Sequence, residues 1–327
     1  MKKRVNFFWI IYGVVLAVLF LVSSTDLIIK EEEAKIYPIS VIIGDTIDEN
    51  YVNFRKGMER AAMEFNGDVS FITLYEKGNI RQQRELMQRE QEDGSRALIV
   101  DLVDGGMLSE MREEGLLSVP VICINGEGET AAGMNNAAVL TFDYYDMGHK
   151  LGEEILKEHP MAKRVHLLEA EDFDISGSLF SQGLSRALEG AGCEALPTRL
   201  LYGDKQPPEM LIELSEGEPG ELIFAAADPE SLLAAAQILA EREEAAGYVD
   251  GLYGRGNTVP ILNFLDRGII QGLCVTDDFS SGYLSVKTAV ELAENRSVEN
   301  ITYLESYYIR REDLRNEKYE KMLYPIE

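Results

Sequence analysis

Cysteine and histidine are scarce in this chain, three of each among 327 residues. Cys123, Cys193 and Cys274 stand far apart with no C-x-x-C spacing, which argues against a disulfide framework and against a structural zinc site. His149, His159 and His166 fall on separate predicted elements, and no H-x-x-x-H places two on one helix face, so no metal site is expected. Positive charge is also short: 31 Lys and Arg against 57 Asp and Glu, a net charge of -26. Phosphate backbones require a basic face, so a nucleic-acid partner is not expected. A nucleophile elbow, a Walker loop and a complete dinucleotide fingerprint are all missing. Gly254-Arg255-Gly256 lacks the third glycine of a dinucleotide loop and reads as a turn. Asp172 to Gly177 matches the first half of a calcium loop, but position 12 is Gly183 instead of Glu, and the stretch reads as an acidic loop. Without an activated nucleophile or a cofactor loop, neither an enzyme nor a cofactor is expected.

The composition that is present, 46% hydrophobic and 27% charged, is that of a globular protein of about two domains. One long apolar run stands out. Lys2, Lys3 and Arg4 precede Val5 to Val22, 18 residues interrupted only by Asn6 and Gly13, with Trp9 and Tyr12 near the basic end. This is the pattern of a single transmembrane anchor over residues 1–24 with the rest of the chain extracytoplasmic, followed by a charged linker over 25–37. A cleaved signal peptide is the alternative. No cysteine stands just after the run, the first being Cys123, so lipidation is not expected.

From residue 38 onward, β-branched runs alternate with helical spacing. ISVII (39–43), VSFITL (69–74), ALIVDLV (97–103) and VPVICI (119–124) read as buried parallel strands, with helices over 49–65, 79–91 and 106–114 between them. After a break at 125–137 the alternation resumes, with strands near 138–142, 164–168, 196–201, 221–226, 249–253 and 269–275. The helices between these are predicted at 144–158, 178–190, 207–215, 229–243, 258–267 and 280–295, and a last extended stretch covers 301–309. Sustained alternation predicts an α/β fold, and its length and central break predict two open parallel sheets.

In open α/β sheets, ligands lie beyond the carboxyl ends of the strands. The polar residues there are Asp45 and Asp48 after the first strand, Asp101 and Asp104 after the third, Asn125 after the fourth, and Thr276 with Asp277 after a late one, with Tyr51 nearby. Carboxylates and amides that converge beside an aromatic ring suit a polyhydroxylated ligand. Asp228-Pro229-Glu230 follows a strand as a helix start, with Asp as cap and Pro in the first turn.

Over about residues 38–315 the order of these segments resembles the type I periplasmic binding proteins, the ribose- and galactose-binding family. The resemblance is carried by PISVIIG, by the Glu49–Gly57 turn and helix start, by ALIVDLVD and VPVICIN, by TFDYYDMGHKLGEEIL and by ELIFAAADPESLLAAAQIL. RGIIQGLCVTDDFSSGYLSVKTAVEL and YYIRREDL complete it. It implies two Rossmann-like lobes joined by three crossovers, near Thr141–Asp143, Thr276–Asp277 and 303–308. Lobe I would hold 38–141 and 277–303, and lobe II 142–276 and 304–327. It implies ligand contacts from Asp48, Asn50, Tyr51, Asp104 and Asn125 on the first lobe, and from Phe180, Asp228, Thr276 and Asp277 elsewhere. Phe180 falls where the family has a sugar-gripping arginine, and Ala227 where it has an asparagine. The implied function is binding of a small neutral, sugar-like solute. The partner would be a membrane sensor kinase, with an ABC sugar importer as the alternative.

Overall fold

The computed structural model describes residues 2–24, 35–46, 51–126, 128–131, 133–170, 175–200, 222–241 and 247–324. The helix predicted over 207–215, and Asp48 and Asn50, lie outside the described residues. The chain divides into two compact units, Met1–Ile36 and Tyr37–Glu327.

The first unit carries α1, Lys2–Ser24, with exposed side chains from Phe8 to Leu21. The sequence predicts a membrane span here. Among the described residues no helix is long and apolar enough to cross a membrane. The membrane anchor expected from the sequence is not borne out among them.

The second unit is built on two sheets. The first contains β1 (Tyr37–Ile42), β2 (Gly67–Ile72), β3 (Ala97–Asp101), β4 (Val121–Ile124), β5 (Ala137–Phe142) and β11 (Ile301–Leu304). Its order is β11-β5-β4-β3-β1-β2, with every pairing parallel. The second contains β6 (Arg164–Ala170), β7 (Glu194–Leu200), β8 (Leu222–Ala226), β9 (Val249–Arg255), β10 (Gly272–Thr276) and β12 (Ser306–Ile309), in the order β12-β10-β9-β8-β6-β7. The predicted two-lobed α/β architecture is thus present.

One pairing departs from the all-parallel expectation: β12 runs antiparallel to β10. The predicted last strand is two strands, separated only by Glu305. A chain leaving the first sheet at its carboxyl edge enters the second sheet at that sheet's carboxyl edge, and so runs backwards through it. The chain passes between the sheets here, between β5 and α5 (Tyr144–Glu158), and between β10 and α9 (Asp278–Ala293).

Burial on both sheet faces explains the β-branched runs. All six residues of β5 and all five of β8 are buried. Alternate residues of one strand serve opposite faces. Ile39 and Val41 join one core cluster with α2 (Val52–Phe65) and α9, while Ile42 joins another with α3 (Ile80–Glu92) and α4 (Met107–Glu113). In the second lobe, α6 (Ile175–Gly190) packs with α5 on one face, and α7 (Pro229–Glu241) and α8 (Val259–Asp266) cover the other.

The two lobes use the same helix contact. A Cβ on Gly57 of α2 would overlap the Phe279 carbonyl of α9, and one on Gly282 would overlap the Phe54 carbonyl in return. Gly148 of α5 and Gly183 of α6 make the same reciprocal approach, to the carbonyls of Phe180 and Tyr145. Only glycine lets the backbones come this close. Gly282→Ala is therefore expected to destabilise the fold by about 1–3 kcal/mol, the cost of overpacking. Gly190→Ala, with nothing within 4 Å of the added carbon, should leave the urea midpoint unchanged or slightly raised. Equal midpoints for the two variants would refute the account.

Candidate functional site

The carboxyl edges of the two sheets enclose a cleft of about 620 Å³. On the first lobe, two acceptors line it and each is held by a tyrosine. Tyr51 Oη–H donates to Asp101 Oδ2 at 2.6 Å, and Tyr144 Oη–H donates to Asn125 Oδ1 at 2.8 Å. Asn125 sits in the left-handed region, φ 57°, which turns the chain at the end of β4. Behind Asp101, the fully buried Gln83 clamps the end of β3: its Nε2–H donates to the Asp101 carbonyl at 2.7 Å and its Oε1 accepts from Val103 N–H at 2.9 Å. A buried amide satisfied at both ends fixes where the strand stops.

On the second lobe, Arg255 ends β9. Its Nε–H donates to the Ala227 carbonyl at 2.6 Å and its Nη2–H to Ser176 Oγ at 2.7 Å. Its Cζ lies 5.0 Å from the centre of the Tyr144 ring and 5.8 Å from that of Phe180, within cation–π range. At the crossover into α9, Asp278 Oδ1 accepts from Thr276 Oγ1–H at 2.6 Å and Oδ2 from Asn257 Nδ2–H at 2.8 Å. Burial pushes the Asp278 carboxyl above its usual range, against the pull of these two hydrogen bonds. At the mouth, Lys77 of the first lobe reaches Glu230 of the second at 2.6 Å, with Asp45 at 3.9 Å. This ion pair bridges the cleft, so the lobes stand close together. Among the described residues lining the cleft, five carboxylates (Asp45, Asp101, Asp228, Glu230, Asp278) outnumber two cations (Lys77, Arg255).

The structure brings together Asp45, Tyr51, Asp101, Asn125, Asp228 and Thr276 of the residues expected from sequence. Three others are corrected. Asp104 is exposed and closes the turn ahead of α4, accepting from the N–H groups of Gly106 at 2.8 Å and Met107 at 3.1 Å. The strand ends at Asp101, three residues earlier, and Asp101 is the carboxylate that lines the cleft. Phe180 is fully buried in the lobe II core, behind Arg255 instead of on the cleft wall. Asp277 spends its oxygens on Ser280 N–H at 2.9 Å and Ser280 Oγ–H at 2.7 Å as the cap of α9, and its neighbour Asp278 lines the cleft. Asp228 does cap α7, accepting from Ser231 N–H at 2.7 Å, and it also ties in the end of β6 through Ala170 N–H at 3.0 Å. The sequence reads Arg255 as part of a turn, and the structure places it on the cleft wall. Its signal was position, since it is the last residue of a predicted strand region extended by two. All three cysteines are buried and free, and burial pushes the thiols of Cys123 and Cys274 up to about 12, which makes them inert.

A family profile described as "Periplasmic binding protein domain" matches residues 39–297, most of the chain, and the chain belongs to that family. No protein of curated function matches by sequence. Solved structures share the fold. A carbohydrate transporter solute-binding protein from Agrobacterium radiobacter in complex with D-arabinose has a TM-score of 0.76 at 17% identity, covering 88% of this chain and 99% of its own. An ABC transporter solute-binding protein from Bacillus halodurans with bound myo-inositol has 0.72 at 20%, covering 89% and 99%. One from Actinobacillus succinogenes with bound D-allose has 0.73 at 14%, covering 86% and 99%.

The buried Asp278 makes stability depend on pH. Its folded-state pKa is raised, so the folded chain holds this proton more tightly than the unfolded one, and its contribution to stability falls as pH rises above the unfolded value of about 4. Asp278→Asn keeps an acceptor for Asn257 and removes the charge. The variant should be more stable than the parent at pH 7, with the difference shrinking toward about pH 4. Urea titrations at both pH values test this, and a parent that is the more stable protein at pH 7 would overturn it.

Proposed function

We propose that this member of the periplasmic binding protein family binds a neutral sugar or cyclic polyol between its lobes and acts outside the cytoplasm as the solute-binding component of an ABC importer. The observation that carries the reading is the pair of tyrosine-held acceptors, Asp101 and Asn125, on the wall of the interlobe cleft. Side chains already held in place accept ligand hydroxyls without a further ordering cost. The cleft volume falls within the roughly 300–1,000 Å³ of small-molecule sites. The excess of lining carboxylates disfavours an anionic ligand.

The relatives with bound D-arabinose, D-allose and myo-inositol support this ligand class, and their roles as transporter solute-binding proteins support the importer. The membrane-tethered sensor expected from the sequence gives way to that reading.

Thermal unfolding of the full-length chain with D-arabinose, D-allose, myo-inositol and D-glucuronate tests the ligand class. A neutral ligand at about a hundredfold excess over Kd should add roughly 2.7 kcal/mol of stability, a rise of several degrees, while D-glucuronate should add none. In calorimetric titration with a sugar that binds, Asp101→Ala should weaken affinity about ten- to a hundredfold, the worth of charge-assisted hydrogen bonds. Asp104→Ala should leave affinity unchanged and cost about 1 kcal/mol of stability through the lost turn hydrogen bonds. The reverse pattern would move the site back to Asp104.

A further inference from the structure

Closing an interlobe cleft brings two walls together, and here both walls are acidic. Asp45 and Asp101 come from the first lobe, Asp228 and Glu230 from the second, and Asp278 from the crossover between them. Like charges brought close oppose closure, the more so as water leaves the space between them. A cation that reaches from one wall to the other therefore has leverage on the position of the lobes. Lys77 makes that reach, from the first lobe to Glu230 of the second at 2.6 Å.

Both ends of this pair stand on held backbone. Lys77 lies in the loop between β2 and α3. That loop is tied to the end of β1 by hydrogen bonds from Leu74 N–H to the Asp45 carbonyl at 3.0 Å and from Gly78 N–H to the Gly44 carbonyl at 3.1 Å. Glu230 sits in the first turn of α7, whose cap, Asp228, also holds the end of β6. Partial burial works against the Lys77 charge. Its hydrogen bond to Glu230 and the fields of Glu230, Asp45 and Asp228 outweigh that and raise its pKa, so it stays an ammonium.

Two uncharged contacts also join the lobes. Asn53 Nδ2–H of α2 donates at 3.1 Å to the Leu323 carbonyl at the end of α10 (Glu317–Leu323), a helix whose Met322 and Leu323 belong to the lobe II core. A Cβ on Gly105, after β3, would lie 3.5 Å from Ile175 Cδ1 of α6. Neither contact is screened by salt as an ion pair is.

We propose that the Lys77–Glu230 pair is an electrostatic latch between the lobes, which outweighs the repulsion of the acidic walls and biases them toward closure before a ligand binds. The inference goes beyond the sugar-binding reading, because the latch acts on the protein alone. An ion pair with both side chains nearly half exposed shifts such a two-state equilibrium by up to about fivefold, and salt removes the bias by screening. A neutral ligand has no charge of its own to screen, so the latch gives its affinity a salt dependence through the fraction of protein already closed.

The test reads the lobes directly, in the full-length chain without added ligand. Tyr75→Cys on the first lobe and Val259→Cys on the second, both at exposed positions, carry spin labels, while Cys123, Cys193 and Cys274 are buried. Pulsed electron paramagnetic resonance then gives the closed-to-open ratio at about 20 mM and about 500 mM salt, where screening is weak and strong. Lys77→Met and Glu230→Gln should each lower the ratio about two- to fivefold at low salt. Combined, they should lower it no further than Lys77→Met alone, because each breaks the same pair. Lys77→Glu should open the lobes furthest, and adding Glu230→Lys to it should recover part of the closed population. Salt should open the parent and close Lys77→Met, in which only the repulsion is left to screen. Salt moving both the same way would overturn the proposal, and so would equal ratios in the parent, Lys77→Met and Glu230→Gln. A lowered melting temperature with unchanged label distances would mark the pair as structural only and would overturn it too. No outcome depends on a sugar, so failure here leaves the sugar-binding reading standing, and failure of every sugar to bind leaves the latch standing.

Discussion

The cleft exists because the carboxyl edges of two parallel sheets are turned toward each other, and the three passes of the chain between the sheets enforce that arrangement. Two of the passes lead directly into long helices, α5 and α9. Each is capped at the crossover by an aspartate, Asp143 accepting from Asp146 N–H and Asp277 from Ser280 N–H. Each helix is then fixed to its own lobe by a reciprocal glycine contact, Gly148 with Gly183 and Gly57 with Gly282. Such backbone-to-backbone approaches tolerate little adjustment. The caps and the glycines together determine where Tyr144 and Asp278 emerge, and both line the cleft.

Around the cleft, residues of one chemical type do different work according to what reaches them. Asp143, Asp228 and Asp277 cap helices, and Asp104 closes the turn ahead of one. Asp101 and Asp278 receive hydroxyl donors from Tyr51 and Thr276 at the cleft wall. The acidic excess of the whole chain is thus partly absorbed into helix starts, where the first-turn N–H groups favour negative charge. The remainder sets the character of the binding space, in which acceptors dominate and one pinned guanidinium faces them from the second lobe.

Some of this was legible before any tertiary structure. Alternating β-branched runs and helical spacing predicted the strands and the two-sheet architecture, because burial on both faces forces continuous apolar runs onto parallel strands. The rule that ligands gather at carboxyl edges led to the right loops. Within those loops the choice of residue failed where a shift of one to three positions decides which side chain points inward. ALIVDLVD carries an aspartate at 101 and another at 104, and no local pattern separates them. Gln83, eighteen residues upstream of Asp101, ends the strand at Asp101 by occupying the backbone groups of Asp101 and Val103.

The same reason accounts for Arg255 and Asp278. In sequence, Gly254-Arg255-Gly256 is a turn-like triplet and Asp277-Asp278 an acidic doublet. The pairing of β9 with β8 and β10 carries residue 255 to the sheet edge, and the capping of α9 by Asp277 leaves Asp278 to the cleft. By itself the sequence determined the secondary elements, their order and the class of fold, because those follow from local periodicity and burial. Which carboxylate, amide and guanidinium share one space was decided only by the tertiary structure, because hydrogen bonds between distant residues set the last residue of each strand and the first of each helix.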